Sequence, residues 1–230
     1  MRLMLLIPAY NEAENIQRVV EELIDHYPQY DYVVVNDGSR DQTAQICRAH
    51  GFNLLDLPVN LGLSGAFQAG MRYAYRMGYD AVLQFDGDGQ HNAAYIGQMV
   101  RAMEDTQADI VIGSRFVEKP KPMTSRMLGS RLIALVTRVT TGKRLTDPTS
   151  GMRLFNRRMM QKFAQNINYG PEPDTIAYLM RSGARVEEVQ VEMNERVAGV
   201  SYLNLPRSIL YMLNMLCSIF VFQFARKKEG

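Results

Sequence analysis

The stretch Gln84-Phe85-Asp86-Gly87-Asp88-Gly89-Gln90-His91 sets two carboxylates one residue apart, directly after an apolar run, with a carboxamide and an imidazole following. Closely spaced carboxylates repel, and at the end of a buried strand this costs stability unless a cation or hydrogen-bond donors compensate. A hard divalent cation held by one or two carboxylates, water and substrate phosphates is the usual solution, and glycines admit close backbone approach. A solvated turn in which both aspartates cap the next helix uses the same residue types. The motif leaves both readings open, so its surroundings must decide.

Short apolar runs, "LMLLIP", "YVVVND", "NLLDLP", "AVLQFD" and "ADIVIGSR", alternate with helix-length segments over the first half of the chain. That alternation predicts βαβ units and an α/β fold with a mostly parallel sheet, buried on both faces by helices. Open sheets of this kind bind ligands at the carboxyl ends of their strands, and Asn36, Asp37, Asp86, Asp88 and Arg115 all fall there. Beyond about Lys119, "KPKP" reads as a loop, Ser125 to Thr141 as a helix, Glu172 to Arg181 as another, and "RVEEVQVEM" as a strand. No repeat, low-complexity tract or linker separates two independent domains.

The 230 residues and 47% hydrophobic composition suit one sizeable domain, alone or with an appendage. Lys and Arg total 26 against 24 Asp and Glu, a net charge of +2 that lacks the footprint of a nucleic-acid binder. Cys47 and Cys217 lie far apart, which indicates neither a disulfide framework nor a structural zinc site and fits a reducing cytosolic location. The apolar N-terminal run, Leu3 to Ile7, is shorter than a signal-peptide core and reads as a first buried strand.

Taken in order, "IPAYNEAENI", "VVVNDGSRDQT", "NLGLSGAFQAG", "FDGDGQH" and "IGSRF" resemble the family 2 glycosyltransferases with the nucleotide-sugar-binding GT-A fold. The similarity covers roughly Leu3 to Tyr202. It is closest to the branch that transfers sugar from a nucleotide donor to a polyprenyl phosphate, as dolichol-phosphate mannose synthases and undecaprenyl-phosphate glycosyltransferases do. The resemblance implies that Pro8, Tyr10 and Glu12 form the first nucleotide-binding loop, with Glu12 near the ribose, and that Asp37 hydrogen-bonds the base. It further implies Asp86 near the ribose and metal, and Asp88 and Gln90 as ligands of Mg²⁺ or Mn²⁺. His91 follows these positions, where a packing or capping role is as fitting as a direct one. "NLGLSGAFQAG" lacks the G-x-G-x-x-G spacing of a dinucleotide-binding fingerprint.

A polyprenyl phosphate acceptor needs cations, and the planar fork of arginine suits phosphate. Arg115 and Arg131, with Ser130 beside the latter, match acceptor-phosphate positions of the branch, and Arg126 competes with Arg131. Arg153 in "DPTSGMRLF" matches a residue framing the donor sugar or acceptor phosphate, while Asp147 and Ser150 there also suit a plain turn. Arg196 matches a diphosphate-binding arginine, but Tyr202 stands where the mannose enzymes commonly carry lysine. An anionic phosphate monoester attacks an anomeric carbon without a strong base, whereas a hydroxyl acceptor needs one; Glu172 and Asp174 in "YGPEPDT" are candidates for that role and equally for helix N-terminal acids.

The tail "SILYMLNMLCSIFVFQFA", Ser208 to Ala225, is bounded by Pro206-Arg207 and Arg226-Lys227-Lys228. As a helix it would span about 27 Å against a hydrocarbon core of about 30 Å, marginal for crossing. The sequence therefore predicts a catalytic domain over 1–205 and, over 206–230, a helix that associates with the membrane or packs within the protein or an oligomer. The implied whole is an inverting, metal-dependent transferase at the cytosolic face of the membrane, taking sugar from a nucleotide donor, a uridine one by expectation, to polyprenyl phosphate. Its partners would be the donor, the lipid acceptor and the membrane surface, with a homo-oligomer or small membrane protein left open.

Overall fold

The computed structural model describes residues 1–165, 170–194 and 212–222. Strand β1, Leu3–Ala9, is followed by helix α1, Ile16–His26; β2, Asp31–Asp37; α2, Thr43–Ala49; β3, Leu54–Leu57; and α3, Gly62–Arg76. Then come β4, Ala81–Gln84; α4, Ile96–Thr106; β5, Ile110–Ser114; α5, Ser125–Thr141; β6, Arg153–Asn156; α6, Arg157–Gln165; α7, Pro173–Arg181; and β7, Val186–Gln190. The five apolar runs of the first half are five strands, and α5 has the bounds its periodicity predicts.

The seven strands form one sheet in the order β3-β2-β1-β4-β6-β5-β7. All neighbouring pairs are parallel except those of β6, which runs antiparallel to both β4 and β5. Because β6 reverses, β4 and β5 point the same way, and the carboxyl ends of β1, β2, β4, β5 and β7 share one edge of the sheet.

Alternation along β1 feeds two cores. Leu3, Leu5 and Ile7 pack with Val19, Val20 and Leu23 of α1 and Met99 and Met103 of α4. Met4 and Leu6 face Phe67 and Met71 of α3, Phe163 of α6 and Leu179 of α7. The rings of Phe67, Phe155 and Phe163 meet edge-to-face with centroids 5.1–5.5 Å apart. Truncating a ring of this kind to alanine removes about 3–5 kcal/mol.

A smaller cluster joins Ile133 of α5, Ala177 of α7 and Ile219, with Val136, Met215 and Leu216 around it. It seats the tail, where helix 212–217 runs into a π-helical turn, Ser218–Phe222. Gly129 of α5 lies under Met212: a methyl group there would stand 1.5 Å from the sulfur. Part of the tail thus packs on the domain, while Leu213 and Phe220 stay more than half exposed. Among the described residues no helix is long and apolar enough to cross a membrane. Arg196, Tyr202 and the side chain of Arg126 lie outside the described residues.

Candidate active site

The exits of β1 and β2 are joined by hydrogen bonds between their loops. Asn11, at φ 56°, receives Arg40 N–H on its side-chain oxygen (2.8 Å) and donates its own N–H to Ser39 (2.9 Å). Glu12 N–H reaches Thr43 Oγ1 at 2.9 Å, and Ala13 N–H reaches Asp41 at 3.0 Å. Burial alone would raise the Asp41 carboxyl, but the bonds from Thr43 and Ala13 hold it below the ordinary range. Glu12 Oε2 accepts from Asn15 at 2.9 Å. Pro8 and Tyr10 are half-buried beside this loop pair. Asp37 is buried, and its Oδ1 accepts Leu61 N–H at 2.7 Å, which draws the 59–61 segment over the end of β2. The residues expected to form a nucleotide site therefore share one ledge.

Asp86 and Asp88 follow β4 on the same edge. Asp88 is 7% exposed, and its Oδ1 accepts the backbone N–H of Gln90 at 3.0 Å, so one turn ties the carboxylate to the Gln90 backbone. Gly89 has φ 78°, a left-handed backbone that favours glycine. His91 is buried against Phe85, receives Asp86 N–H on Nδ1 at 2.9 Å, and has Nε2 3.3 Å from Asp86 Oδ2.

The exit of β5 is basic. Arg115 grips fully buried Asp147 through Nε (2.7 Å) and Nη2 (3.0 Å), a paired contact that uses much of its fork. Glu188 of β7 accepts the N–H groups of Thr146 and Asp147. Burial pushes its carboxyl above the ordinary range, and nearby Asp147 adds to the shift against those two bonds. Ser130 is buried, receives Lys121 Nζ at 2.9 Å and lies 3.1 Å from Thr149 Oγ1. Arg131 donates to Lys121 O at 2.7 Å. Burial pulls the Lys121 ammonium below its usual value, and Arg115 and Arg131 pull it the same way.

A cavity of about 600 Å³ opens here, lined by Phe116, Lys121, Arg131, Leu135, Arg138 and Arg144 among others. Above it α5 turns Leu128, Leu132, Leu135 and Val139 outward, 45–68% exposed and spaced by four, three and four residues. This is an apolar stripe on the solvent side of a helix whose other face is already packed.

One loop links the acidic and basic groups. Asp147 holds Arg115, Thr149 touches Ser130, and Gly151 backs Asp86, since a Cβ at 151 would lie 2.9 Å from Asp86 Oδ2. Ser150, read as a turn residue, donates to Gly113 O at 2.5 Å and ties the loop to β5. Arg153 is buried in β6 opposite Gln84 and donates to Pro148 O at 2.7 Å, so it braces the loop from beneath. Asp174 is buried in the first turn of α7, accepting from Thr175 N–H (2.8 Å) and Ser218 Oγ (2.5 Å); Glu172 is the N-cap residue of that helix.

Asp147, which the sequence left between a motif of the branch and a plain turn, is the buried partner of Arg115. Sequence reasoning missed two residues of this network: Lys121 sat in a stretch read only as a loop, and Glu188 within a strand pattern. An acid on the buried alternation of "RVEEVQVEM" was the available signal.

The oxygen donors of Asp88 and Gln90 suit a hard cation completed by diphosphate oxygens and water. Among the described residues no three His, Cys, Asp or Glu side chains gather into a metal cluster.

The Glycosyl transferase family 2 model matches residues 4–163. The chain belongs to glycosyltransferase family 2. This glycosyltransferase is 32% identical over 216 residues to an undecaprenyl-phosphate mannosyltransferase of Micrococcus luteus, covering 89% of this chain and 88% of the relative. It is 28% identical over 219 residues to a polyprenol monophosphomannose synthase of Mycolicibacterium smegmatis, covering 88% and 81%. Glucosyl-3-phosphoglycerate synthase from Mycobacterium tuberculosis, solved with Mn²⁺, uridine diphosphate and glucosyl-3-phosphoglycerate, superposes with a TM-score of 0.65 at 17% identity over 99% of this chain and 81% of that one. The glycosyltransferase therefore has the expected GT-A fold.

Proposed function

We propose that this glycosyltransferase moves a hexose-type sugar from a nucleoside diphosphate donor, a uridine one, to the phosphate of a polyprenyl lipid such as undecaprenyl phosphate. The transfer inverts the anomeric centre, takes place at the cytosolic face of the membrane and provides a lipid-linked sugar for envelope polysaccharide. The observation that carries the reading is the Asp147–Gly151 loop, which joins the acidic exit of β4 to a cavity holding Lys121 and Arg131 beneath an exposed apolar stripe. A phosphate on an apolar chain matches that cavity: cations for the head group, leucines at the level of the lipid. The names of the two relatives agree with it.

In this mechanism Pro8, Tyr10, Glu12, Asp37 and Asp86 receive the nucleotide, and Asp88 and Gln90 hold Mg²⁺ or Mn²⁺. That cation supplies charge stabilisation to the departing nucleoside diphosphate. Lys121 and Arg131, with Ser130, hold the acceptor phosphate, and Arg115, fixed by Asp147, turns its remaining N–H groups to the same anion. A phosphate oxygen forms the bond to the anomeric carbon as the bond from that carbon to the diphosphate oxygen breaks. The acceptor is already anionic near neutral pH, so no protein base is needed. The engagement of Asp174 by Ser218 favours this reading over a hydroxyl acceptor that would use Asp174 or Glu172 as base. We assign 1–205 to catalysis and 206–230 to a helix that reinforces contact with the membrane.

The test incubates purified protein and Mn²⁺ or Mg²⁺ with UDP-glucose, UDP-N-acetylglucosamine and GDP-mannose, with and without undecaprenyl phosphate, and analyses the lipid phase by mass spectrometry. A glycosylated lipid phosphate formed only with metal is expected. Transfer to a saccharide hydroxyl but never to the lipid phosphate would overturn the reading.

A further inference from the structure

Among the buried groups that the proposed reaction does not use, His91 has the most specific surroundings. It is 5% exposed, so it neither lines the ledge nor meets solvent. Each ring nitrogen has a partner on the same residue. The Asp86 N–H can only donate, and it points at Nδ1 from 2.9 Å; Nδ1 therefore carries no hydrogen. The ring hydrogen sits on Nε2, 3.3 Å from Asp86 Oδ2. The imidazole thus spans its aspartate from backbone to carboxylate and restricts where Oδ2 can go.

Further contacts hold the ring and its backbone. Phe85 meets it edge-on with centroids 5.5 Å apart. His91 forms a β-bridge with Met193, and Asn194 N–H reaches Gln90 O at 2.8 Å, so the segment is tied to the chain beyond β7. Gly151 closes the other side, with space for a hydrogen but not for a methyl beside Asp86 Oδ2 and His91 Nε2. Oδ2 is thereby held, while the Asp86 side chain stays 38% exposed on the ledge.

We propose that His91 is a positioning residue: bonded to the Asp86 N–H through Nδ1 and with Nε2 3.3 Å from Oδ2, it favours the orientation of the Asp86 carboxylate that receives the nucleotide and its cation. The inference rests on the proposed use of Asp86, and it deepens that reading by naming what orients the carboxylate. His91 touches neither substrate nor metal in this scheme.

The test compares wild type with His91→Phe, His91→Gln and His91→Asn in the full chain. Calorimetry reads UDP affinity in Mn²⁺, transfer to undecaprenyl phosphate reads donor and acceptor KM separately, and thermal melts read folding. Phe keeps the ring packing and loses both polar contacts; Gln can carry an amide donor towards the carboxylate; Asn keeps only the acceptor for Asp86 N–H. Expected are a tenfold or greater loss of UDP affinity and a matching rise in donor KM for His91→Phe, an unchanged acceptor KM, and partial recovery in His91→Gln but not in His91→Asn. Wild-type UDP affinity in His91→Phe would overturn the inference. If that variant does not fold, recovery in His91→Asn equal to or above that in His91→Gln would overturn it. Wild type binding UDP with Mn²⁺ yet transferring to no lipid phosphate would instead remove the acceptor reading and leave the positioning role to the calorimetry.

Discussion

At the amino end of the strands, acids meet arginine and amide donors. Arg2 reaches Asp31 at 3.3 Å and gives its N–H to Asp80 at 2.6 Å, and Asp109 is held by Arg158, Asn156 and Arg185 N–H. At the carboxyl end, Asp86 has an imidazole and a glutamine amide as its neighbours, and the cations Lys121 and Arg131 stand apart on a separate cavity. Charges that neutralise one another locally stabilise a fold; acidic and basic groups kept apart across a loop are arranged to meet charges from outside. In the proposed reading the contrast separates residues kept for folding from residues kept for ligands, although the residue types are the same.

The comparison breaks most sharply at Asp88. Asp88→Ala should lower metal-dependent transfer by about 10²–10³-fold with a melting temperature near that of wild type, measured on one preparation. Transfer at the wild-type rate would place Asp88 with the structural acids instead. At the basic side, Lys121→Met should raise the KM for undecaprenyl phosphate about tenfold and leave the donor KM unchanged, because one charge-assisted bond to phosphate is lost. Lys121→Arg should recover most of that loss.

Asp109→Asn should do the reverse, costing about 1–3 kcal/mol in urea unfolding while activity per folded molecule is kept. Burial raises the Asp109 carboxyl less than Arg158, Arg185 N–H and Asn156 lower it, so its stabilisation is present above the ordinary carboxylate range and fades as pH falls through the lower folded value. The asparagine variant should lose that acid-side fall. Glu188 has the opposite sign: its raised value gives stability below the ordinary range that is lost as pH rises through the folded value. Glu188→Gln should flatten stability just above the ordinary carboxylate range, the smallest of these effects.

Much of the scaffold was legible because burial on both faces writes unbroken apolar runs, as in "LMLLIP" and "YVVVND". The carboxyl ends of those runs named Asp37, Asp86, Asp88 and Arg115 before any coordinate was known. Strand β6 was not legible: Arg153–Asn156 is four residues long, holds a buried arginine and an asparagine, and owes its extended form to β4 and β5 on either side. Asp147 looked like any turn aspartate, since its partner Arg115 is 32 residues away.

The sequence by itself determined the order of the five strands of the first half with the helices between them, the acidic motif after β4 and the family, because these rest on local periodicity and on residues close together in the chain. Only the tertiary structure decided that Arg115 is held by Asp147, that Lys121 joins Arg131 at a cavity, and that the His91 ring accepts the Asp86 N–H and lies against its carboxylate. Each of these depends on distances set by the packing of the chain, and spacing in sequence does not encode the direction in which a side chain finds its partner.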